Sequence, residues 1–244
     1  NERVAAIFEV ARLPDFLIED LRTIVTVIRG PLAVRSSSLL EDSKTQPFAG
    51  IYRTYMLANN HPDAEVRLEQ LRRAIKYVYA SAFSSEARAY RRFSPHLPDE
   101  EKMAVIIQKV VGRTHAEGGR HYPDFAGVVQ SYNYYPVPPL EDEEPIAHIA
   151  LGLGKTIVEG HNALRFSPAH PRNLHQFSTI KDFLANSQKQ FAALDLRKAG
   201  SSFTYEKEPD LAVFGLDAAA ADGTLELAGS TYSRENDAVV DTLA

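Results

Sequence analysis

Leu17, Leu21, Ile24 and Ile28 recur at spacings of four, three and four along residues 14–29. That stripe predicts an amphipathic helix, with Pro14 near its start, Asp15 in its first turn and Gly30-Pro31 as its stop. Leu32-Ala33-Val34 is a short apolar run and reads as a strand. The small, hydroxyl-rich stretch 36–50 that follows reads as a loop. Residues 51–58 are rich in β-formers and predict a second strand, closed by the turn Asn59-Asn60-His61-Pro62. The longest helical signal spans 63–92, where Leu68, Leu71, Ile75, Val78 and Ala82 keep one face and a break is expected near Ser84-Ser85.

Residues 103–111 predict a buried strand in which Gln108 is a lone polar interruption. A polar, Gly-rich turn over 112–121 and another strand over 125–134 complete an expected hairpin. Pro136 to Pro145 reads as an acidic, Pro-rich loop, and Ile146 to Leu151 as a strand running into Gly152-Leu153-Gly154. Further on, the pattern predicts a helix over 178–194 and short strands over 211–216 and 224–229, around Asp222-Gly223. The chain has no internal repeat. Helices gather early and hairpins in the middle, which predicts an α+β protein.

Composition narrows the function classes. The chain has 244 residues, 44% of them hydrophobic and 24% charged, enough for a real core in one large domain or two small lobes. No apolar run approaches the roughly 20 residues of a membrane-spanning helix, and no cationic-then-apolar leader opens the chain. It starts at Asn1 instead of Met, which leaves room for a removed leader. Cys is absent, so disulfides, thiolate zinc sites and a Cys nucleophile are excluded. A Cys-free chain fits the reducing cytosol, and a cytoplasmic location is expected. The net charge of −5 removes the global basic footprint of a nucleic-acid binder. The charge is uneven, however. Residues 201–244 carry nine acids against Lys207 and Arg234, so the first 200 residues are slightly basic and can host an anion.

Three constellations carry candidate chemistry. In the first, Val34-Arg35-Ser36-Ser37-Ser38 delivers a guanidinium into a hydroxyl-rich loop, and Phe48-Ala49-Gly50 opens the next strand. A planar fork of donors suits phosphate oxygens, and a glycine turn lets backbone N–H groups approach them. On residue types alone, a surface salt bridge beside an ordinary Ser-rich loop is the favoured reading of this set. The second is Gln108, whose amide in a buried strand needs a partner: a ligand, or a nearby backbone group. The third, Gly152-Leu153-Gly154-Lys155-Thr156, lacks the earlier glycine of a phosphate loop, since the position five before Gly154 is Ile149. The eight His residues form no helical i, i+4 pair, and a metal site built from them is not expected. Ser36 to Ser38 have no adjacent base, and the acidic runs 99–101 and 141–144 read as solvated loops.

Together these pieces resemble the nucleotide-binding domain of the phosphoenolpyruvate synthase and pyruvate phosphate dikinase family. The resemblance rests on Pro31-Leu-Ala-Val-Arg-Ser-Ser-Ser, then Glu41-Asp42, then Phe48-Ala-Gly50 with Thr54, and on the later Val105-Ile-Ile-Gln-Lys-Val-Val111, Ala126-Gly-Val-Val129 and Gly152-Leu-Gly-Lys-Thr-Ile-Val-Glu-Gly160. It covers residues 31–160 strongly and fades beyond about 165. It implies an α+β, ATP-grasp-like, two-lobed domain that clamps ATP with Mg²⁺. The expected layout is one domain over 1–244, incomplete at both ends. Its first lobe covers about 1–100, its hairpin-rich second lobe about 101–200, and an acidic C-terminal segment about 201–244.

By the same resemblance Arg35 is the phosphate-contacting and catalytic residue. Gly50 and Thr54 are phosphate-loop contacts, and Gln108 lies beside the adenine. The family's upstream Gly-Gly-Lys segment and its closing Glu and Gln-x-Arg-Pro strand have no match here, and Lys155 stands where the family carries an acid. The expectation is an excised portion of a larger phosphotransferase, not competent alone. Its partners would be ATP and the phosphohistidine and pyruvate-binding domains of the same parent chain, with no nucleic acid and no membrane. In that family ATP phosphorylates a swivelling His, which then phosphorylates pyruvate. Related dikinases use an antibiotic or a glucan as acceptor, and a non-catalytic regulatory module with the same fold is the third possibility.

Overall fold

The structure is a computed structural model that describes residues 1–38, 41, 50–92, 102–115, 119–138, 140–158, 162–171, 173–198, 203–208 and 210–241. The chain forms two compact units. The first comprises residues 1–110 and 194–211, the second residues 111–193 and 212–244.

The first unit opens with helices α1 (Glu2–Val10) and α2 (Asp15–Val27), followed by strand β1 (Leu32–Ser38) and β2 (Thr54–Leu57). Helices α3 (Ala64–Ser81) and α4 (Ser85–Arg91) come next, and then β3 (Met103–Lys109). The three strands form an antiparallel sheet in the order β2-β1-β3. Alternation along β1 buries Leu32 and Val34 and turns Arg35 outward. Tyr55 and Leu57 of β2 join that inner face, with Val105 and Ile107 of β3 packed against the same core. Leu68, Leu71, Ile75 and Val78 on one face of α3 and Leu21 and Val25 of α2 complete it. Apolar residues on one face of a sheet and one stripe of each helix must be buried against another element, and here the helices and the sheet bury them against each other.

The expected break in the long helix is real. α3 ends at Ser81, and Ser84 caps α4, its hydroxyl accepting from the Ala87 N–H. Arg67 is 1% exposed, and its guanidinium donates to the carbonyls of Val25, His61 and Pro62. It thus satisfies the Val25 carbonyl in the last turn of α2 together with two carbonyls in the turn before α3. Asn59, in a left-handed backbone conformation (φ 49°), donates its amide to Ile28 and Gly30 carbonyls at 2.8 and 2.9 Å.

The C-terminal part of this unit arrives late in the sequence. Phe203 and Tyr205 are buried in the same core, and the Tyr55 hydroxyl donates to the Tyr205 carbonyl at 2.8 Å. Glu208 accepts from the Met56 N–H at 3.3 Å and Asp210 from the Ala58 N–H at 2.9 Å. Carboxylates therefore take backbone donors on the outer edge of β2, where no further strand lies among the described residues.

The second unit contains the hairpin β4 (Arg113–His115) and β5 (Arg120–Tyr122), then β6 (Phe125–Gln130), β7 (Ile146–Leu151), the short helix α5 (Lys155–Val158) and β8 (Leu164–Phe166). After helix α6 (Ile180–Asn186) come β9 (Gln190–Asp195) and β10 (Leu211–Gly215). Helices α7 (Leu216–Ala221) and α8 (Leu225–Ala228) precede the hairpin β11 (Ser230–Ser233) and β12 (Ala238–Asp241). The sheets are β10-β9-β5-β4, β6-β7-β8 and β11-β12.

Four expectations need correction. The strand after Pro31 continues through Ser38, because β3 pairs with it from Leu32↔Lys109 to Ser38↔Met103. The hairpin does not join 103–111 to 125–134: β3 pairs with β1, and β6 with β7. The helix expected over 178–194 stops at Asn186, and Gln190 to Asp195 form a strand. Residues 225–228 are a helical turn, not a strand.

Candidate functional site

The register of the first sheet decides where the candidate residues lie. Arg35 stands opposite Thr54 on β2 and opposite Ile106 on β3. One step away, Ala33 stands opposite Met56 and Gln108. Directly opposed residues share a face, and so do residues two apart along a strand. Arg35, Thr54 and Gln108 therefore sit on one face, the face turned away from the helices, together with Ala33, Ser37, Met56, Ala104 and Ile106. With strands about 4.8 Å apart and a rise of about 3.3 Å per residue, the Arg35 and Gln108 backbones lie roughly 8 Å apart.

Gln108 differs from its expected surroundings. It is exposed, not buried, because β3 is an edge strand with one face on the core and the other open. The apolar run Val105-Ile-Ile hides this, since Ile106 also points outward. Gly50 is exposed in the turn before β2 and has φ 77°, a conformation that glycine tolerates and other residues resist. The sheet register does not extend to it. Phe48, Ala49 and Asp42, the rest of that expected constellation, lie outside the described residues, as do the acidic run 99–101 and Gly160.

Arg35 donates from Nε to the Ser36 carbonyl at 3.3 Å, and among the described residues no carboxylate pairs with it. Thr54 is likewise exposed. The face thus offers a guanidinium, a hydroxyl and an amide beside the apolar side chains of Met56 and Ile106, with no acid among its strand residues. Such a surface suits a ligand that is anionic at one end and flat and apolar at the other. The outward-facing Met56 and Ile106 were not singled out from sequence. Strict alternation through β1, once extended to Ser38, is the signal that would have found them.

The remaining sequence candidates have structural explanations. Gly152 has φ 85°, and a Cβ there would meet the Ala192 carbonyl oxygen at 2.7 Å. The Leu153 N–H donates to that same carbonyl at 2.9 Å. The Gly-Leu-Gly segment is therefore a close backbone approach, and Lys155 opens a helix of four residues. His115 is buried and stacks on Tyr122 with ring centroids 4.4 Å apart, and His121 contacts the Thr114 hydroxyl at 3.0 Å. No group of three or more His, Asp or Glu among the described residues is arranged to hold a metal ion.

The charged cluster of the second unit is also structural. Arg120 donates from Nε and Nη2 to the two Asp222 oxygens at 2.7 Å each, and the Tyr122 hydroxyl donates to Asp222 at 2.8 Å. Burial raises the cost of that carboxylate, yet the bonds from Arg120 and Tyr122 win and hold it below the usual carboxylate range. Burial likewise pushes the Tyr122 phenol up to about 12. In the first unit the balance reverses: burial pushes the Asp210 carboxyl up against its single bond from Ala58.

Comparison with known proteins adds the lineage. A family model described as the pyruvate phosphate dikinase AMP/ATP-binding domain matches residues 1–207. Over 130 residues the chain is 28% identical to the uncharacterized phosphotransferase YvkC of Bacillus subtilis (strain 168). That stretch covers 53% of this chain and 13% of the Bacillus protein, so the chain corresponds to a small part of its relative.

Proposed function

The chain belongs to the pyruvate phosphate dikinase AMP/ATP-binding domain family, and on that premise we propose that ATP lies on the open face of the first sheet. Arg35 takes the phosphates, with the Thr54 hydroxyl and the backbone of Gly50 as further donors. The Gln108 amide reads the base, which rests against Met56 and Ile106. The observation that carries this reading is the register that sets a guanidinium free of any described carboxylate, a hydroxyl and an amide on one open face. A planar cation stabilises charge on a polyphosphate and orients it, which is the greater part of what phosphoryl transfer asks of a protein.

The wider activity is part of the same proposal. The parent chain transfers phosphate from ATP to a histidine on a swivelling domain and from there to pyruvate; an antibiotic or a glucan in place of pyruvate would leave this domain unchanged. Mg²⁺ is the ion expected with ATP, but the residues of the open face do not fit it. They include no carboxylate, and no metal-holding cluster occurs among the described residues. The same lack of acid favours a second reading, a nucleotide-binding module without chemistry. Among the described residues no helix is long and apolar enough to cross a membrane, and a cytoplasmic location belongs to the proposal.

Calorimetric titration with ATP tests the reading. Arg35→Ala is expected to weaken ATP binding by about tenfold or more, the loss of a charge-assisted phosphate contact. Circular dichroism should not change, because the side chain is exposed. Unchanged affinity in the variant would overturn the site. ATP binding without phosphate transfer in the full-length parent protein would favour the second reading.

A further inference from the structure

The sheet of the first unit has a notch beside Arg35. β2 begins at Thr54, opposite Arg35, whereas β3 follows β1 as far as Ser38. Over Ser36 to Ser38, β1 therefore has a strand on one side only among the described residues, and its donors on the other side need partners.

Glu41 fills the notch. One carboxylate oxygen accepts from the Ser38 N–H at 3.0 Å, and the other from the Ser36 hydroxyl at 2.9 Å. The Glu41 N–H returns to the Ser38 carbonyl at 3.2 Å. Ser36 and Ser38 point to the buried side of the strand, at 2% and 5% exposure, so this network lies on the face opposite Arg35. The Ser36 carbonyl is also the acceptor for Arg35 Nε. A continuous path thus runs from the Glu41 carboxylate through Ser36 to the guanidinium.

We propose that Glu41 is a positioning residue for Arg35. It acts as the missing strand, fixes the backbone of β1 just beyond Arg35, and so holds the guanidinium at one place on the open face without touching the ligand. A carboxylate suits the task because it accepts from two donors at once and a neutral amide oxygen cannot span both. Its place on the inner face keeps it from competing with phosphate for the guanidinium. The inference rests on the ATP reading of that face, and the phosphate end of the ligand is where it acts.

The test titrates ATP and adenosine, separately, into the wild-type chain and the variants Glu41→Ala, Glu41→Gln, Ser36→Ala, Glu41→Ala/Ser36→Ala and Arg35→Ala. Glu41→Ala is expected to weaken ATP about tenfold and adenosine less than about twofold, since only the phosphate contact depends on the strand end. Glu41→Gln, which keeps the volume and one acceptor, should fall between, and the double variant should lose little more than Glu41→Ala because the two residues form one path. Equal weakening of both ligands, or undiminished ATP affinity in Glu41→Ala, would overturn the proposal. If Glu41→Ala does not fold, the same comparison in Glu41→Gln decides. Loss of ATP in Arg35→Ala but not in the Glu41 variants sinks this inference alone. Undiminished ATP binding in Arg35→Ala sinks the underlying reading and this one with it.

Discussion

Asp222 and Arg35 represent opposite uses of charge. Arg35 is left on an open face where, among the described residues, it donates to the Ser36 carbonyl and meets no carboxylate, ready for an anion. Asp222 is 1% exposed at its side chain, clamped by Arg120 and Tyr122, and it ties the turn after α7 to β5. Because its folded-state pKa lies below the ordinary value, it binds its proton less readily folded than unfolded. Its stabilisation is therefore present at neutral pH and is lost as pH falls from about 4 through the lower folded pKa. Asp222→Asn should destabilise the protein at pH 7, on the order of 3 kcal/mol because Arg120 is left without its counter-charge. It should also flatten the acid limb of a stability profile measured by denaturant titration between pH 3 and 7. The sequence offered no hint of this pair, whose members stand about a hundred residues apart. What it did offer was Arg35, as the only cation directly following an apolar strand start and preceding a hydroxyl run.

At the scale of elements, legibility followed the strength of periodicity. The helices α2 and α3 were readable because four or more apolar residues held one face, and β7 coincides with the stretch Ile146 to Leu151, apolar but for His148. Phe191-Ala-Ala-Leu could be read as helix or strand, since short apolar runs carry no period. The sheet decided: all four residues are buried in β9, and the capping box of Thr179 and Asp182 belongs to a helix that ends at Asn186. Helix α1 was missed, having only one buried residue, Ala5. Gln108 was misplaced because a run of apolar residues looks equally like a two-sided core strand and an edge strand with an apolar outer residue. Caps are also element-scale features. Ser84→Ala should remove the bond to Ala87 and cost about 1 kcal/mol in a chemical denaturation curve, with hydrogen exchange increased in α4.

Across the whole molecule, the order of the chain and the order of packing disagree. The first unit is closed by residues 194–211, after the chain has passed through the second. Phe203 shows how deep that return goes: its ring lies 5.2 Å from Tyr55 and 5.6 Å from Tyr77, and its carbonyl accepts from Arg73 at 3.1 Å. Phe203→Ala should therefore cost about 3 to 5 kcal/mol. Hydrogen exchange should place the loss of protection in β2 and α3, not only near residue 203. No local pattern could foretell this, because residues 201–244 look from sequence like one acidic stretch, yet they supply parts of both units.

That late return has a bearing on synthesis. When a ribosome has released residue 110, the nascent first unit still lacks the two aromatic rings and the two carboxylates that finish its core and its sheet edge. At about 5 to 20 residues per second, the following hundred residues take on the order of 5 to 20 s to make. Throughout that interval an unfinished core and an open strand edge are accessible to chaperones and to neighbouring nascent chains.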